Sequence, residues 1–99
     1  MAEIDISHEE TKGKGRYEAR VKEQAEAGEL TYSRVTETLI IADHTFVPSS
    51  LRGLGVAQAL VARLIADARV GGERIVPLCP FVRAYAQKHR EELADVIQW

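Results

Sequence analysis

A mixed α/β (α+β) fold, with a mostly antiparallel sheet, one β-α-β unit and two main helices, is predicted by three features of this 99-residue chain. Through the first half, apolar residues recur at spacing two, the period of half-buried strands. From Ala57 to Ala68 they recur at spacings of three and four, the stripe of an amphipathic helix. A short β-branched run, Arg74-Ile75-Val76-Pro77-Leu78-Cys79, follows a Gly71-Gly72 break, so strand, helix and strand succeed one another. The length is that of one domain, residues 1–99, since single cores run to roughly 50–250 residues.

From Met1 to Val47 the pattern is that of a four-strand meander. Ile4 and Ile6 alternate with Glu3, Asp5 and Ser7. After the turn-like Lys12-Gly13-Lys14-Gly15, a second strand sets Tyr17, Ala19 and Val21 against Arg16, Glu18, Arg20 and Lys22. Gly28 precedes a third run, Leu30 to Val35. Thr36-Glu37 separates it from a fourth, Thr38 to Val47, so closely that the two form a hairpin. The fourth strand is apolar on both faces, Leu39, Ile41 and Val47 on one and Ile40, Ala42 and Phe46 on the other, which predicts a central position. Pro48 removes a backbone donor and ends it.

Ser49 to Gly55 forms the turn into the clearest helix, whose stripe is Ala57, Leu60, Val61, Leu64, Ile65 and Ala68. Gly71-Gly72 stops that helix. The fifth strand, Arg74 to Cys79, then lies parallel to the fourth across the helical crossover. Pro80 suits the first turn of a last helix, Phe81 to about His89, with Glu91 to Trp99 continuing as helix or as a packed tail.

Composition narrows the function. Hydrophobic residues are 45% of the chain and charged residues 28%, the balance of a soluble folded domain. Thirteen basic against fifteen acidic side chains give a net charge of -2, which offers no broad attraction to nucleic acid or anionic lipid. The set Lys12, Lys14, Arg16, Arg20 and Lys22 has Glu18 and Glu23 among it and reads as a solvated face. Neither nucleic acid nor membrane is expected as a partner. Cys79 is the single cysteine, and Met1 to Asp5 has neither the positive end nor the apolar run of a secretory leader, so the expected location is cytoplasmic. His8, His44, Cys79 and His89 have no short metal-ligand spacing, and no metal site is expected.

The strongest chemical signal is the strand, glycine turn and helix from Leu39 to Ala68. Glycines at 53 and 55 let the backbone approach a ligand, and the first amides of the helix lack intrahelical acceptors, so the turn favours an anion such as phosphate. No Gly-Lys-Ser or Gly-Lys-Thr follows, which excludes a nucleotide P-loop. On the pattern alone, an anion site and an ordinary tight turn are both open.

Arg52-Gly53-Leu54-Gly55-Val56-Ala57 resembles the Arg/Gln-x-x-Gly-x-Gly/Ala loop of the GNAT N-acetyltransferase superfamily, in the same place between a fourth strand and a long helix. His44-Thr45-Phe46-Val47-Pro48 and Pro77-Leu78-Cys79-Pro80-Phe81 are similar to segments of its very short single-domain members, the YjdJ-like branch. The likeness runs from about Tyr17 onward. It implies acetyl-CoA, or coenzyme A, as cofactor. Strands 4 and 5 would splay, backbone groups of Phe46, Val47 and Pro48 would pair with the pantetheine arm, and the amides of Arg52 through Ala57 would take the pyrophosphate, with the Arg52 side chain adding charge.

Three side chains are candidates for catalysis under this resemblance. Cys79 stands at the end of the fifth strand, where its thiol either accepts the acetyl group or simply lines the pocket. His44, expected on the face of Ile40, Ala42 and Phe46, is either a base for an acceptor amine or a satisfied core histidine. Tyr85 resembles the tyrosine that protonates the departing thiolate, with core packing as the alternative.

The function implied is transfer of an acetyl group from acetyl-CoA to an amine, a protein or peptide among the candidates, by a monomer or weak homodimer. The alternative is a coenzyme A or acyl-coenzyme A binding module with little transferase activity. Its motive is that only Glu9 to Gly15 lies between the first two strands, where the family usually has helices that wall the acceptor. A weaker third reading is an interaction domain that kept the fold and lost the site.

Overall fold

The structure, a computed structural model, describes residues 3–99. Met1 and Ala2, part of the segment on which the leader argument rested, lie outside the described residues. Strands β1 (Ile4–Thr11), β2 (Lys14–Val21), β3 (Ala27–Thr36) and β4 (Leu39–Phe46) form the meander. A 3-10 turn (Ser49–Leu51) leads to helix α1 (Val56–Gly71), then strand β5 (Arg74–Pro77) and helix α2 (Pro80–Lys88). The sheet order is β1-β2-β3-β4-β5, antiparallel except for the parallel β4–β5 pair, which bears out the predicted fold class.

Local chemistry accounts for the element ends. Lys12 and Gly13, both at positive φ, make the two-residue β1–β2 turn, whose hand suits the twist of a hairpin. The β3–β4 turn is Glu37-Thr38, one residue later than expected, because Thr36 pairs with Leu39 and Val35 is an extra residue in β3. Gly72, at φ 67°, closes α1, and its amide donates back to Arg69. β5 ends at Pro77 rather than Cys79, since Leu78 turns the chain by donating to Val76 O at 3.0 Å.

One face of the sheet is the core. Tyr17, Ala19 and Val21 of β2, Leu30 and Tyr32 of β3, and Ile40 and Ala42 of β4 are buried together with Val56, Leu60, Val61, Leu64, Ile65 and Ala68 of α1. Val56, not Ala57, begins the helical stripe, four residues before Leu60 and eight before Leu64. Each such leucine, isoleucine or valine contributes about 1.5–3 kcal/mol by leaving water. Helix α1 crosses β1, β2, β3 and β5, and α2 packs on β4 and β5.

The last eleven residues are a packed tail. Leu93, Val96 and Ile97 are buried, and Ile97 bridges Ile75 in parallel, extending the sheet beyond β5. Arg74 ties this tail down through the carbonyls of Ala94, Asp95 and Ile97, and Arg69 forks onto Asp95.

At the other edge a polar network holds β1. The Tyr32 ring lies over Gly15, its cross-strand partner, where an added Cβ would stand 2.0 Å from Cζ. Thus placed, the Tyr32 hydroxyl donates to Glu10 Oε1 at 2.7 Å, and Arg34 donates to both oxygens of Glu10 at 2.8 and 2.9 Å. Arg34 also pairs with Glu73, beyond α1. The bonds from Arg34, and then from Tyr32, hold the Glu10 carboxyl down to about 2.

Gly15→Ala is therefore expected to displace Tyr32 and lower the unfolding free energy by about 1–3 kcal/mol, as for other overpacked sites, measured by the urea midpoint. Because the folded state depresses the Glu10 value, its contribution to stability is complete above about 4.5, the unfolded value, and is lost as the pH falls toward 2. Urea midpoints of Glu10→Gln should accordingly change less than those of the parent protein across that interval.

Candidate functional site

The site begins where the parallel ladder stops. β4 and β5 pair over four positions, from Leu39–Arg74 to Ala42–Pro77. Past that point β4 continues from Asp43 to Phe46, while β5 has ended and the chain turns into α2. The Cys79 amide reaches back to Ala42 O at 2.8 Å and ties the chain to β4 just past the last paired position. The predicted divergence of the two strands thus has a simple cause: a four-residue strand cannot follow an eight-residue one.

Cys79 caps α2, with Pro80 at the first helical position. Its side chain is buried, 3% exposed, and its Sγ lies 3.2 Å from Thr45 Oγ1. Thr45 was not among the residues expected to act. Strict alternation along β4 would turn it away from the core, and only a break in that alternation brings it inward.

That break is a β-bulge. Ala42 pairs with Tyr32 and His44 with the preceding Thr31, so Asp43 is an extra residue in β4. Inward positions run Ile40, Ala42, Thr45 and Val47, and His44 and Phe46 are exposed. The expectation that His44 shares the face of Ile40 and Ala42 is corrected, as is the placing of Val47 and Phe46. A side-chain bond between Ser33 Oγ, as donor, and Asp43 Oδ2 holds the bulged residue on the outer face. Tyr85, on α2, is half-buried, and its ring packs 4.6 Å from that of His89. The three predicted catalytic residues therefore have three surroundings: Cys79 buried against Thr45, His44 on the solvent side of β4, and Tyr85 against His89.

The glycine loop is the second half of the site. Leu51 is fully buried and anchors the 3-10 turn, whose amides at Leu51, Arg52 and Leu54 donate to Pro48, Ser49 and Leu51 carbonyls. Gly53 and Gly55 follow at φ 82° and 80°, a conformation other residues adopt only with strain, and no atom lies within 4 Å of where either Cβ would stand. Gly55 caps α1 without a side-chain hydrogen bond, and the first turn contains no acidic residue. Its amides thus face a cavity of about 400 Å³ lined by Val47, Leu51, Arg52, Gly53, Gly55, Val56, Ala57 and Gln58.

Of the residues expected to hold a cofactor, Val47, Arg52, Gly53, Gly55, Val56 and Ala57 line this cavity. Pro48 is buried ahead of the 3-10 turn, and Phe46 and Leu54 are exposed, at 49% and 37%. Gln58 was missed. It lies one residue beyond the motif, and only the turn of the helix brings it to the rim. Open space over left-handed glycines, amides without a capping side chain, and no competing carboxylate suit the pyrophosphate of coenzyme A.

The model of the GCN5-related N-acetyl-transferase family matches residues 16–96. The chain belongs to that family. Membership supports acyl transfer as the general chemistry of the domain, and the match takes in both the glycine loop and Cys79 while leaving β1 outside. No curated protein matches the chain.

Deleting Asp43 would remove the bulge and restore plain alternation with Ala42, Thr45 and Val47 still inward and His44 outward, so the Thr45–Cys79 contact should survive. The deletion removes the hydrogen bond from Ser33, and a typical hydrogen bond contributes about 0.5–1.5 kcal/mol. The deletion variant should lose no more than about that much stability in urea, and its Cys79 thiol should react with a neutral alkylating reagent as slowly as in the parent.

Proposed function

We propose that the chain is an acetyl-CoA-dependent N-acetyltransferase acting on an amine acceptor. The observation that carries this reading is the cavity over Gly53 and Gly55 at the start of α1, continuous in sequence with the strand that outruns β5. Coenzyme A would be held there by the Gly53, Gly55, Val56 and Ala57 amides on its pyrophosphate, with Arg52 at the exposed rim. The coenzyme supplies an activated thioester.

What the chain's own residues contribute is position and exclusion of water. Thr45 and Cys79 form a polar pair where β4 outruns β5, and the thiol is shielded from solvent. In direct transfer the amine nitrogen bonds to the acyl carbon, the carbon–sulfur bond breaks, the thiolate departs with the electron pair, and the amine's proton passes to a base. His44, exposed one residue before Thr45, suits that base on the solvent side. In a two-step route the Cys79 sulfur, its proton passed to a base, would bond to the acyl carbon as the first carbon–sulfur bond breaks and the coenzyme thiolate leaves, and the amine nitrogen would then displace the Cys79 sulfur. Tyr85, packed against His89, has less support as the donor to the thiolate than solvent has.

A second reading, a coenzyme A binding module with little turnover, is favoured by one feature. β1 and β2 are joined by the two-residue turn Lys12-Gly13, so that connection contributes no wall to an acceptor site. An open approach suits a bulky acceptor, such as a protein amine, equally well.

Calorimetric titration with acetyl-CoA tests both readings. Saturable binding is expected, reduced at least about tenfold in Gly55→Glu, which brings bulk and negative charge under the pyrophosphate. No binding by the parent protein would overturn both. Turnover with amines and peptides, corrected for thioester hydrolysis, then separates enzyme from module.

A further inference from the structure

A second polar cavity, of about 270 Å³, lies between β1 and the far half of α1, where Asp67 stands roughly three turns along the helix from the glycine loop. His8 is its centre. The imidazole stacks on Tyr17 with ring centroids 4.3 Å apart and planes 10° from parallel, so its two nitrogens have fixed directions. Nε2 lies 2.7 Å from the Tyr32 oxygen, and Nδ1 faces Asp67 Oδ2 at 4.0 Å.

The hydrogen bonds decide which nitrogen of the neutral ring carries the proton. Glu10 is ionised and can only accept, so the one proton of the Tyr32 hydroxyl goes to it. The Tyr32 oxygen must then accept from His8 Nε2–H, and Nδ1 is left as a lone-pair acceptor. Opposite it, Asp67 Oδ2 also only accepts, already receiving the Tyr17 hydroxyl at 2.8 Å and Arg63 Nε at 3.0 Å. Two acceptors facing each other across 4.0 Å have no proton to share. Each is at hydrogen-bond range of a single nitrogen placed between them, with contacts of about 2.7–3.2 Å.

Charge and shape choose the kind of nitrogen. The carboxylates around the ring are Glu10, Asp67 and Glu73, and the cations are Arg34 and Arg63, so with a neutral His8 the surroundings carry one net negative charge. Both carboxylate pairs of Arg34 lie on its own side, and Arg63 binds the other edge of Asp67. Val70, 91% exposed, forms an apolar rim beside them. The His8 and Asp67 side chains are 29% and 36% exposed, within reach of a small solute.

We propose that this cavity is a binding site for a small primary alkylammonium ion, its N–H groups donated to His8 Nδ1 and Asp67 Oδ2 and its alkyl chain laid along Val70. Occupancy would join β1, which lies outside the family match, to α1, which carries the glycine loop at its other end. The site is independent of the reading of that loop.

The test is an NMR titration of the His8 imidazole nitrogens with propylammonium chloride at about pH 8, above the ordinary imidazole range. Sodium chloride and butan-1-ol serve as controls. A saturable shift of Nδ1 is expected with propylammonium alone. It should weaken at least about tenfold in Asp67→Asn, as for loss of a charged acceptor, and vanish from the Tyr17 ring signals of His8→Gln, while persisting in Gly55→Glu. Either variant that keeps the parent's amide spectrum carries the test. A non-saturating shift, an equal response to sodium chloride or butan-1-ol, or undiminished binding in the folded variants would overturn the proposal. So would binding lost in Gly55→Glu.

Discussion

The short parallel ladder between β4 and β5 is the constraint on which the rest of the site depends. Four paired positions are enough to place β5 beside a central strand, and the core side chains Ile40 and Ile75 make that pairing part of the hydrophobic centre. They are too few to follow β4 to its end. The unpaired end of β4 is therefore a consequence of unequal strand lengths, with Pro77 ending one strand and Cys79 tied back to Ala42. Any function that places a ligand between the strands relies on this arithmetic rather than on a flexible element.

The bulge at Asp43 acts within the same region. It lengthens β4 by one residue just where support from β5 ceases, and it reverses the faces of everything that follows. A hydroxyl beside the thiol and an imidazole in solvent both follow because Asp43 is taken up as a bulge and drops out of the alternation. Bulges commonly re-aim side chains near sites. Here the change sets Thr45, and not His44, on the inward face.

Across the sheet, the hydroxyls of Tyr17 and Tyr32 organise the edge. Burial, and then the bonds to Asp67 and Glu10, raise both above the usual phenol range. The two tyrosines thus remain donors, and their direction decides the state of the neighbouring imidazole. Core packing and polar order are one construction here: each ring fills apolar space and each hydroxyl fixes a carboxylate.

Much of the architecture was legible in the residue pattern, because periods of two and of three to four are set by backbone geometry and by the need to bury one face. The meander, α1, the β-α-β unit and the glycine turn follow from Tyr17-Ala19-Val21, from Leu60-Val61-Leu64-Ile65 and from Gly53-Gly55 in that way. The motif resemblance carried the family. Tertiary structure decided what periodicity cannot encode: the bulge, which depends on register with β3; the end of β5, which depends on a turn and a bond to Ala42; and the meeting of Thr45 with Cys79. It also decided the His8 cluster, whose members come from β1, β2, β3 and α1 and are up to fifty-nine positions apart. Such groups have no local signature, since their proximity arises only when the sheet closes under the helix.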